Sequence, residues 1–234
     1  MINPRANSRL DSLTAEEFNS IESELKLVSL ESDRIISEPN EPFGRFYFPL
    51  TAKIAMCMSR DGLPCVDVGV IGSDGMVGLR ALLKSRCYLR LYVTSPGLAY
   101  QIPVAPILHE YRKFGGIYDM CMMAYQDNQD KIVTEIACDH YHSIEQRVAC
   151  WVLRRTELPA TTEIITTHQK IANSLGCKRE AVTLALRQFQ GIELSRGKIT
   201  VHDRGWMERA CCSCYAPPFQ TADHQMNIWS GQDY

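Results

Sequence analysis

The spacing of apolar positions changes along the chain. Residues 11–27 (DSLTAEEFNSIESELKL) place Leu13, Phe18, Ile21 and Leu25 on one helical face, and Thr14 with Glu17 has the form of a capping box. From about 28 to 104 the apolar residues come in short alternating runs, such as FYFPLTAKIAMCM, CVDVGVIG, LRLYVTS and LAYQIPV, broken by NEP, RDGLP, SDG and SPG. Alternation with turn residues between the runs predicts several short strands packed as a sandwich or small roll.

Beyond Ala105 the strand signals fade. Residues 117–139 (IYDMCMMAYQDNQDKIVTEIACD) contain neither Gly nor Pro and predict one long helix. Tyr118, Met122, Tyr125, Gln129, Ile132 and Ile136 recur at alternating four- and three-residue steps. Such a seam suits a helix that packs against a twin, or one that docks on the β-domain. A second helix is expected over 143–156, and Pro159 with the following threonines reads as a linker.

The last third has the clearest punctuation. Thr166 or Thr167 can N-cap a short helix running HQKIANSL, and Gly176 can supply the left-handed residue that ends it. A second helix starts near Lys178 with Ala181, Val182, Ala185, Leu186 and Phe189 inward. GIELSRGKITVHD then reads as two strands around a Gly197 turn. Helix, tight turn, helix and β-hairpin are the parts of a winged helix-turn-helix.

The second helix of such a unit enters the major groove and reads base edges from its first turn. Arg179 can donate twice to a guanine and Glu180 can accept from a cytosine amine. Lys178 shares that first turn, Thr183 is expected to face outward one turn later, and Arg187 to meet phosphate. Thr167 and Gln169 stand at the start of the first helix, where backbone amides favour an anion. Arg196 and Lys198 on the hairpin would add phosphate contacts. Net charge is −2 overall, yet residues 170–204 hold seven basic against three acidic side chains. The chain as a whole is therefore no polyanion binder, but it carries a local patch suited to double-stranded DNA.

Composition changes this picture little. The chain has 234 residues, 45% hydrophobic and 22% charged, enough for one large or two modest globular units. The N-terminal MINPRANSRLDSL lacks a secretory apolar core, and no run approaches the roughly 18 apolar residues of a membrane span. A soluble cytoplasmic protein without membrane association is expected. Most of the ten cysteines lie in apolar runs and read as small buried hydrophobes. Cys211 and Cys214 have the spacing of a metal or disulfide pair, with His224 as the nearest further ligand; they are weak metal candidates. His140 and His142, in a polar junction, read as hinge or solvated residues. No phosphate-binding lysine loop, Gly-x-Ser-x-Gly elbow or His-Glu-x-x-His appears, so no enzyme is expected.

The segment TTHQKIANSLGCKREAVTLALRQFQGIELSRGKITVHD resembles the C-terminal domain of the Crp/Fnr family of bacterial transcription regulators. RFYFPLTAKIAM…GVIGSDGMVGL resembles that family's N-terminal β-roll, 117–139 its dimerisation helix, and HSIEQRVACWVL the lead into its DNA-binding domain. The resemblance implies an α+β chain with a cyclic-nucleotide-binding-like β-roll (residues 1–115), a long dimerisation helix (116–140), a winged helix-turn-helix (141–215) and a tail (216–234). It implies a homodimer on a near-palindromic site, with RNA polymerase as a candidate further partner. Arg179 and Glu180 match the family's base-reading pair. Leu184 departs from it, standing where the best-known members carry a second base-reading arginine.

The family's cyclic AMP site implies a ribose-binding glutamate on a Gly-rich turn, an Arg-Ser pair for the phosphate, and hydroxyls on the long helix for adenine. Here the turn is Gly75-Met76-Val77-Gly78, the pair is Arg86-Cys87, and the helix offers Ile132 and Val133. Two of the three elements lack their polar partners, so cyclic AMP is not expected. The alternatives are a different, unidentified small effector near Arg86, or a β-roll that senses nothing or meets a protein partner, and no cofactor is implied. The competing reading is a thiol- or metal-dependent redox sensor built on the C-terminal cysteines. The N-terminal cysteine set of the family's iron–sulfur members is absent, the first cysteine being Cys57.

Overall fold

A computed structural model describes residues 2–60, 62–83, 88–156 and 162–215. The chain begins with two short helices, α1 (Ser8–Asp11) and α2 (Ala15–Glu22). The capping box forms as expected: Thr14 Oγ1 accepts from the Glu17 amide, and Glu17 Oε2 accepts from the Thr14 amide at 3.0 Å. These Thr14 contacts, with a bond from the Gly116 amide, hold the Glu17 carboxyl below its usual range.

The helix expected over 11–27 is shorter than its pattern. It ends at Glu22, and Lys26–Leu30 is a strand, β1, antiparallel to β7 (Gly97–Pro103). Alternation in KLVSL gives that segment a partner in the sheet, and the ladder outweighs one more helical turn.

The remaining roll strands are β2 (Ile35–Ser37), β3 (Arg45–Pro49), β4 (Lys53–Met58), β5 (Val66–Ile71) and β6 (Arg90–Ser95). They form two antiparallel sheets, ordered β1-β7-β3 and β2-β6-β4-β5. Leu30, Ile54, Met56, Ile71, Val93 and Ala99 pack between them. Cys57 and Cys65 are joined by a disulfide, so Cys57 is not the separate buried thiol its apolar run suggested.

Helix α3 (Val104–Tyr111) leads into the long helix α4 (Gly116–Tyr141). Ile117, Met120, Cys121 and Ala124 of α4 join Phe46, Phe48 and Ile102 of the roll in a second core, which also takes in Phe18 and Ile21 of α2. Ion pairs Arg9–Asp127 and Lys131–Asp74 fasten the same helix at its edges. The docked face is therefore not the expected seam. Met122, Tyr125 and Ile136 are exposed, and Val133 is 62% exposed while Ile132 turns partly into the roll.

Helix α5 (Ile144–Arg155) opens the C-terminal unit with its own capping box, Ser143 to Gln146. Helices α6 (His168–Ser174), α7 (Arg179–Gln188) and α8 (Arg204–Ala210) surround a core of Val148, Val152, Ile171, Val182, Leu186 and Met207. Strands β8 (Glu163–Ile165), β9 (Ile192–Ser195) and β10 (Lys198–Val201) form a third sheet ordered β8-β10-β9. β8 lies where the sequence suggested only a linker; its three residues are too few to register as an alternating run. Pro159 and the tail 216–234 lie outside the described residues. No described helix is long and apolar enough to cross a membrane.

Candidate nucleic-acid interface

The turn between α6 and α7 is set by local chemistry. Thr167 is the N-cap of α6, its hydroxyl accepting from the Lys170 amide at 3.1 Å. Thr166, the other candidate, is buried instead. Gly176 closes α6 at φ 61°, a left-handed conformation that side chains with a Cβ resist. The Cys177 amide then bonds back to the Ala172 carbonyl. Lys178 stands at the N-cap of α7 in an extended conformation, so α7 begins at Arg179 and its first turn carries both Arg179 and Glu180.

One face of α7 is apolar and buried through Val182, Ala185 and Leu186. The opposite face presents Lys178, Arg179, Glu180 and Arg187, all exposed. Among the described residues, none of these four side chains makes a hydrogen bond or ion pair. Long charged groups without internal partners are available to an external one. Leu184 lies on the same outward side and is 59% exposed.

Thr183 differs from its expected outward role. It is half-buried, and its hydroxyl donates to the Arg179 carbonyl at 3.0 Å and lies 2.8 Å from His168 Nδ1. With the hydroxyl proton committed to Arg179, the imidazole Nδ1–H donates to Thr183. Threonine one turn into a helix back-bonds to the carbonyl four residues earlier, and α6 is near enough to take the remaining lone pair. Burial, then Arg179 and Arg187, hold the His168 pKa below its ordinary value.

Around α7, the exposed Gln169 donates through Nε2 to Asn173 Oδ1 within α6. Arg196 is exposed at the tip of the β9–β10 hairpin. Lys198 is not a simple phosphate donor, because its ammonium pairs with Glu163 of β8 at 2.8 Å. Cross-strand pairing explains this: Lys198 lies opposite Ile165, and Glu163 is two residues along on the same face. Lys170 is likewise engaged, with Asp33 of the roll.

The eight effector-site candidates are not gathered into one place. Val77, Gly78 and Ile132 line a small, partly open cavity between the roll and α4, with Met56, Leu91 and Tyr125. Met76 is fully buried on the other side of its turn, in the core beneath α4, and Gly75 does not line the cavity. Val133 faces outward from α4. Arg86 and Cys87 lie outside the described residues. Arg80, Asn128 and Gln129 supply polarity to the cavity, and among the described residues no carboxylate lines it, so a ribose hydroxyl meets no acidic acceptor from them.

The pair Cys211 and Cys214 is also separated. Cys211 Sγ bonds to the Glu208 carbonyl at 3.2 Å, within its own helix end. Cys214 instead meets Cys212, Cys138 and His142. The residues that Cys212 and Cys214 meet, Cys138 in the last turn of α4 and His142 at its C-cap, lie more than 70 residues earlier, where sequence spacing does not reach. His224 lies outside the described residues.

Residues 146–210 match the family described as the Crp-like helix-turn-helix domain. No curated protein matches the chain. Several solved structures share its fold. A protein from Eubacterium rectale, described as a candidate transcriptional regulator of the Crp/Fnr family, is 20% identical with a TM-score of 0.69, covering 88% of this chain and 98% of its own. The c-di-GMP-responsive global regulator CLP of Xanthomonas campestris is 12% identical with a TM-score of 0.64, covering 81% of this chain and all of its own. A Crp/Fnr-family transcriptional regulator from Thermus thermophilus is 17% identical with a TM-score of 0.64, covering 79% and 97%. Residues 146–210 thus form a Crp-like helix-turn-helix domain, a DNA-binding module, and the chain as a whole shares the fold of the solved Crp/Fnr-family regulators.

Proposed function

We propose that the protein binds a near-palindromic DNA site as a homodimer and regulates transcription there, under the influence of a small effector that is not cyclic AMP. The observation that carries this reading is the first turn of α7. Arg179 and Glu180 are exposed side by side at the start of a helix whose opposite face is fully packed. Arg179 would read guanine and Glu180 cytosine, while Leu184 would favour a thymine methyl. Lys178, Arg187 and Arg196 would meet phosphate, flanked by Thr167 and Gln169; Thr183 would support α7 from behind. Lys198 would exchange Glu163 for phosphate on binding.

Residues 1–115 would form the effector domain, 116–140 the pairing helix and 141–215 the DNA-binding domain. The exposed apolar side chains of α4 support the pairing. The cavity beside Tyr125 and Ile132 suits a compact ligand with a large apolar surface. RNA polymerase would be a further partner at the promoter. A second reading, thiol- or metal-dependent control, is favoured by the convergence of Cys214 and Cys212 on Cys138 and His142.

The test is selection of the purified protein against a random duplex pool at near-physiological salt. The expected product is a two-fold-symmetric motif whose half-site centres lie about one helical turn apart. Enrichment of an asymmetric motif, or none with any added effector, would overturn the homodimeric reading.

A further inference from the structure

Four soft ligand atoms meet where the end of α4 passes the last turn of the DNA-binding domain. Cys138 is on the final turn of α4 and His142 is its C-cap, four residues on and so on the same side. Cys212 and Cys214 flank Ser213 just after α8, where a short 3-10 turn at Ser213–Tyr215 brings both thiols round. Cys138 Sγ lies 3.6 Å from Cys212 Sγ, and Cys214 Sγ lies 3.6 Å from His142 Nδ1. All four ligand atoms lie within 4.8 Å of one another.

These separations have a chemical meaning. Zinc binds thiolate at about 2.3 Å and imidazole at about 2.0–2.1 Å in a tetrahedron, which sets its S···S edges near ~3.8 Å and its S···N edges near ~3.6 Å. Thiols packed only as small hydrophobes would not need an imidazole nitrogen turned to a sulfur. Cys138 and Cys212 are buried while His142 and Cys214 are half-buried, so the cluster is enclosed yet has a path to solvent. Three sulfurs and one nitrogen select a soft or borderline cation over calcium or magnesium.

We propose that Cys138, His142, Cys212 and Cys214 form a closed four-ligand site for a zinc-class divalent cation, which fixes the DNA-binding domain to the end of the long helix. Binding releases three thiol protons to solvent, and the imidazole binds neutral through Nδ1. The loaded site carries one net negative charge. Arg154 faces it, donating to the Cys214 carbonyl at 2.9 Å and pairing with Glu135 of α4. Cys150 stands behind Cys212, its sulfur 3.4 Å away, as a thiol hydrogen-bond partner. With four protein ligands there is no open position, so the role is structural and not catalytic. The ligands straddle Ser143, where α4 gives way to α5, so the metal would span the junction between pairing helix and DNA-binding domain. The inference deepens the metal-dependent reading but does not need DNA binding, because its readout is the metal itself.

The experiment uses the full chain, purified under reducing, oxygen-free conditions, stripped with a chelator and titrated with zinc(II) or cobalt(II). One zinc per chain is expected by elemental analysis. Cobalt should give the absorption of a tetrahedral site together with thiolate-to-metal charge-transfer bands. Cys214→Ser and His142→Asn, both at half-buried positions, should weaken metal binding by about tenfold or more. Cys211→Ser, outside the set, should bind as the parent does. Circular dichroism of each variant would confirm folding, and the parent's cobalt spectrum stands independently of all variants. Four outcomes would overturn the proposal: no retained zinc, a cobalt spectrum without thiolate bands, undiminished binding in Cys214→Ser, or a metal-free Cys150–Cys212 disulfide in the oxygen-free preparation. Assembly of an iron–sulfur chromophore in preference to zinc would overturn the assigned cation class.

Discussion

Arg179 and His168 lie at the two ends of one chain of contacts, and they make different predictions. Arg179 keeps its guanidinium in solvent while its carbonyl receives the Thr183 hydroxyl. Arg179→Ala should therefore leave the helix intact and cost about 1–3 kcal/mol of specific binding, relaxing preference at one base pair. Competition assays against specific and random duplexes check this; equal loss on both would show a phosphate contact instead. His168 tests the other end by pH. Burial, then Arg179 and Arg187, depress its folded pKa below the ordinary 6.5. As pH falls through that value the unfolded chain binds the proton first, so stability present above it is lost towards the lower folded pKa. His168→Gln should flatten the fall in thermal midpoint between about pH 7 and 5; an unchanged slope would assign the effect to other groups. Arg179, Glu180 and Arg187 were legible in the sequence because a charged first turn beside an apolar stripe is a local pattern. The diversion of Thr183 and Lys198 was not, because their partners, His168 and Glu163, lie on neighbouring elements.

Elements with strong local grammar formed as expected, and those that depend on a partner shifted. α7 and the Gly176 turn follow directly from capping and backbone preference. β8 and the early end of the first amphipathic helix follow from sheet pairing, which a single segment does not reveal. The long helix shows both. Its length was written in an unbroken run without Gly or Pro, but its rotation was set by Ile117, Met120, Cys121 and Ala124 docking on the roll. That rotation turns Ile132 partly inward and Val133 out, so the uncovered stripe runs Met122, Tyr125, Val133 and Ile136. If two copies pair along this stripe, Val133→Glu would set like charges near the two-fold axis with little else to disturb. The variant should dissociate at least about tenfold more readily, equivalent to about 1.4 kcal/mol, and sedimentation equilibrium measures it. An unaltered dimer would place the pairing surface elsewhere on the chain.

At the scale of the whole molecule the two units are joined through Asp67. Its side chain, on β5, receives the Tyr92 hydroxyl at 2.8 Å from within the roll, and Arg155 at 3.2 Å and Ser174 from the DNA-binding domain. Arg155 stacks over the Trp151 ring at 3.5 Å, and Trp151 Nε1 donates to Ser174 at 2.9 Å. The contact thus reaches both α5 and α6 while leaving the outward face of α7 open. None of this was legible from sequence, since Arg155 and Ser174 lie 88 and 107 residues from Asp67 and all three are individually ordinary; a separation of 74 residues likewise hid Cys138 from Cys212. Both Asp67 and Arg155 are largely buried, so removing one charge leaves the other without compensation. Asp67→Asn should weaken the docking of the two units by about 3 kcal/mol. Each unit has its own apolar core, so neither should unfold. The expected signature is selective: amide hydrogen exchange should rise in α6 and at the end of α5, the roll sheets should keep their protection, and small-angle scattering should report a larger radius of gyration. Uniform loss of protection in both units would instead mean that Asp67 supports the roll through Tyr92, and unchanged exchange in α6 would mean that Lys170 with Asp33 and the cysteine cluster hold the units together without it.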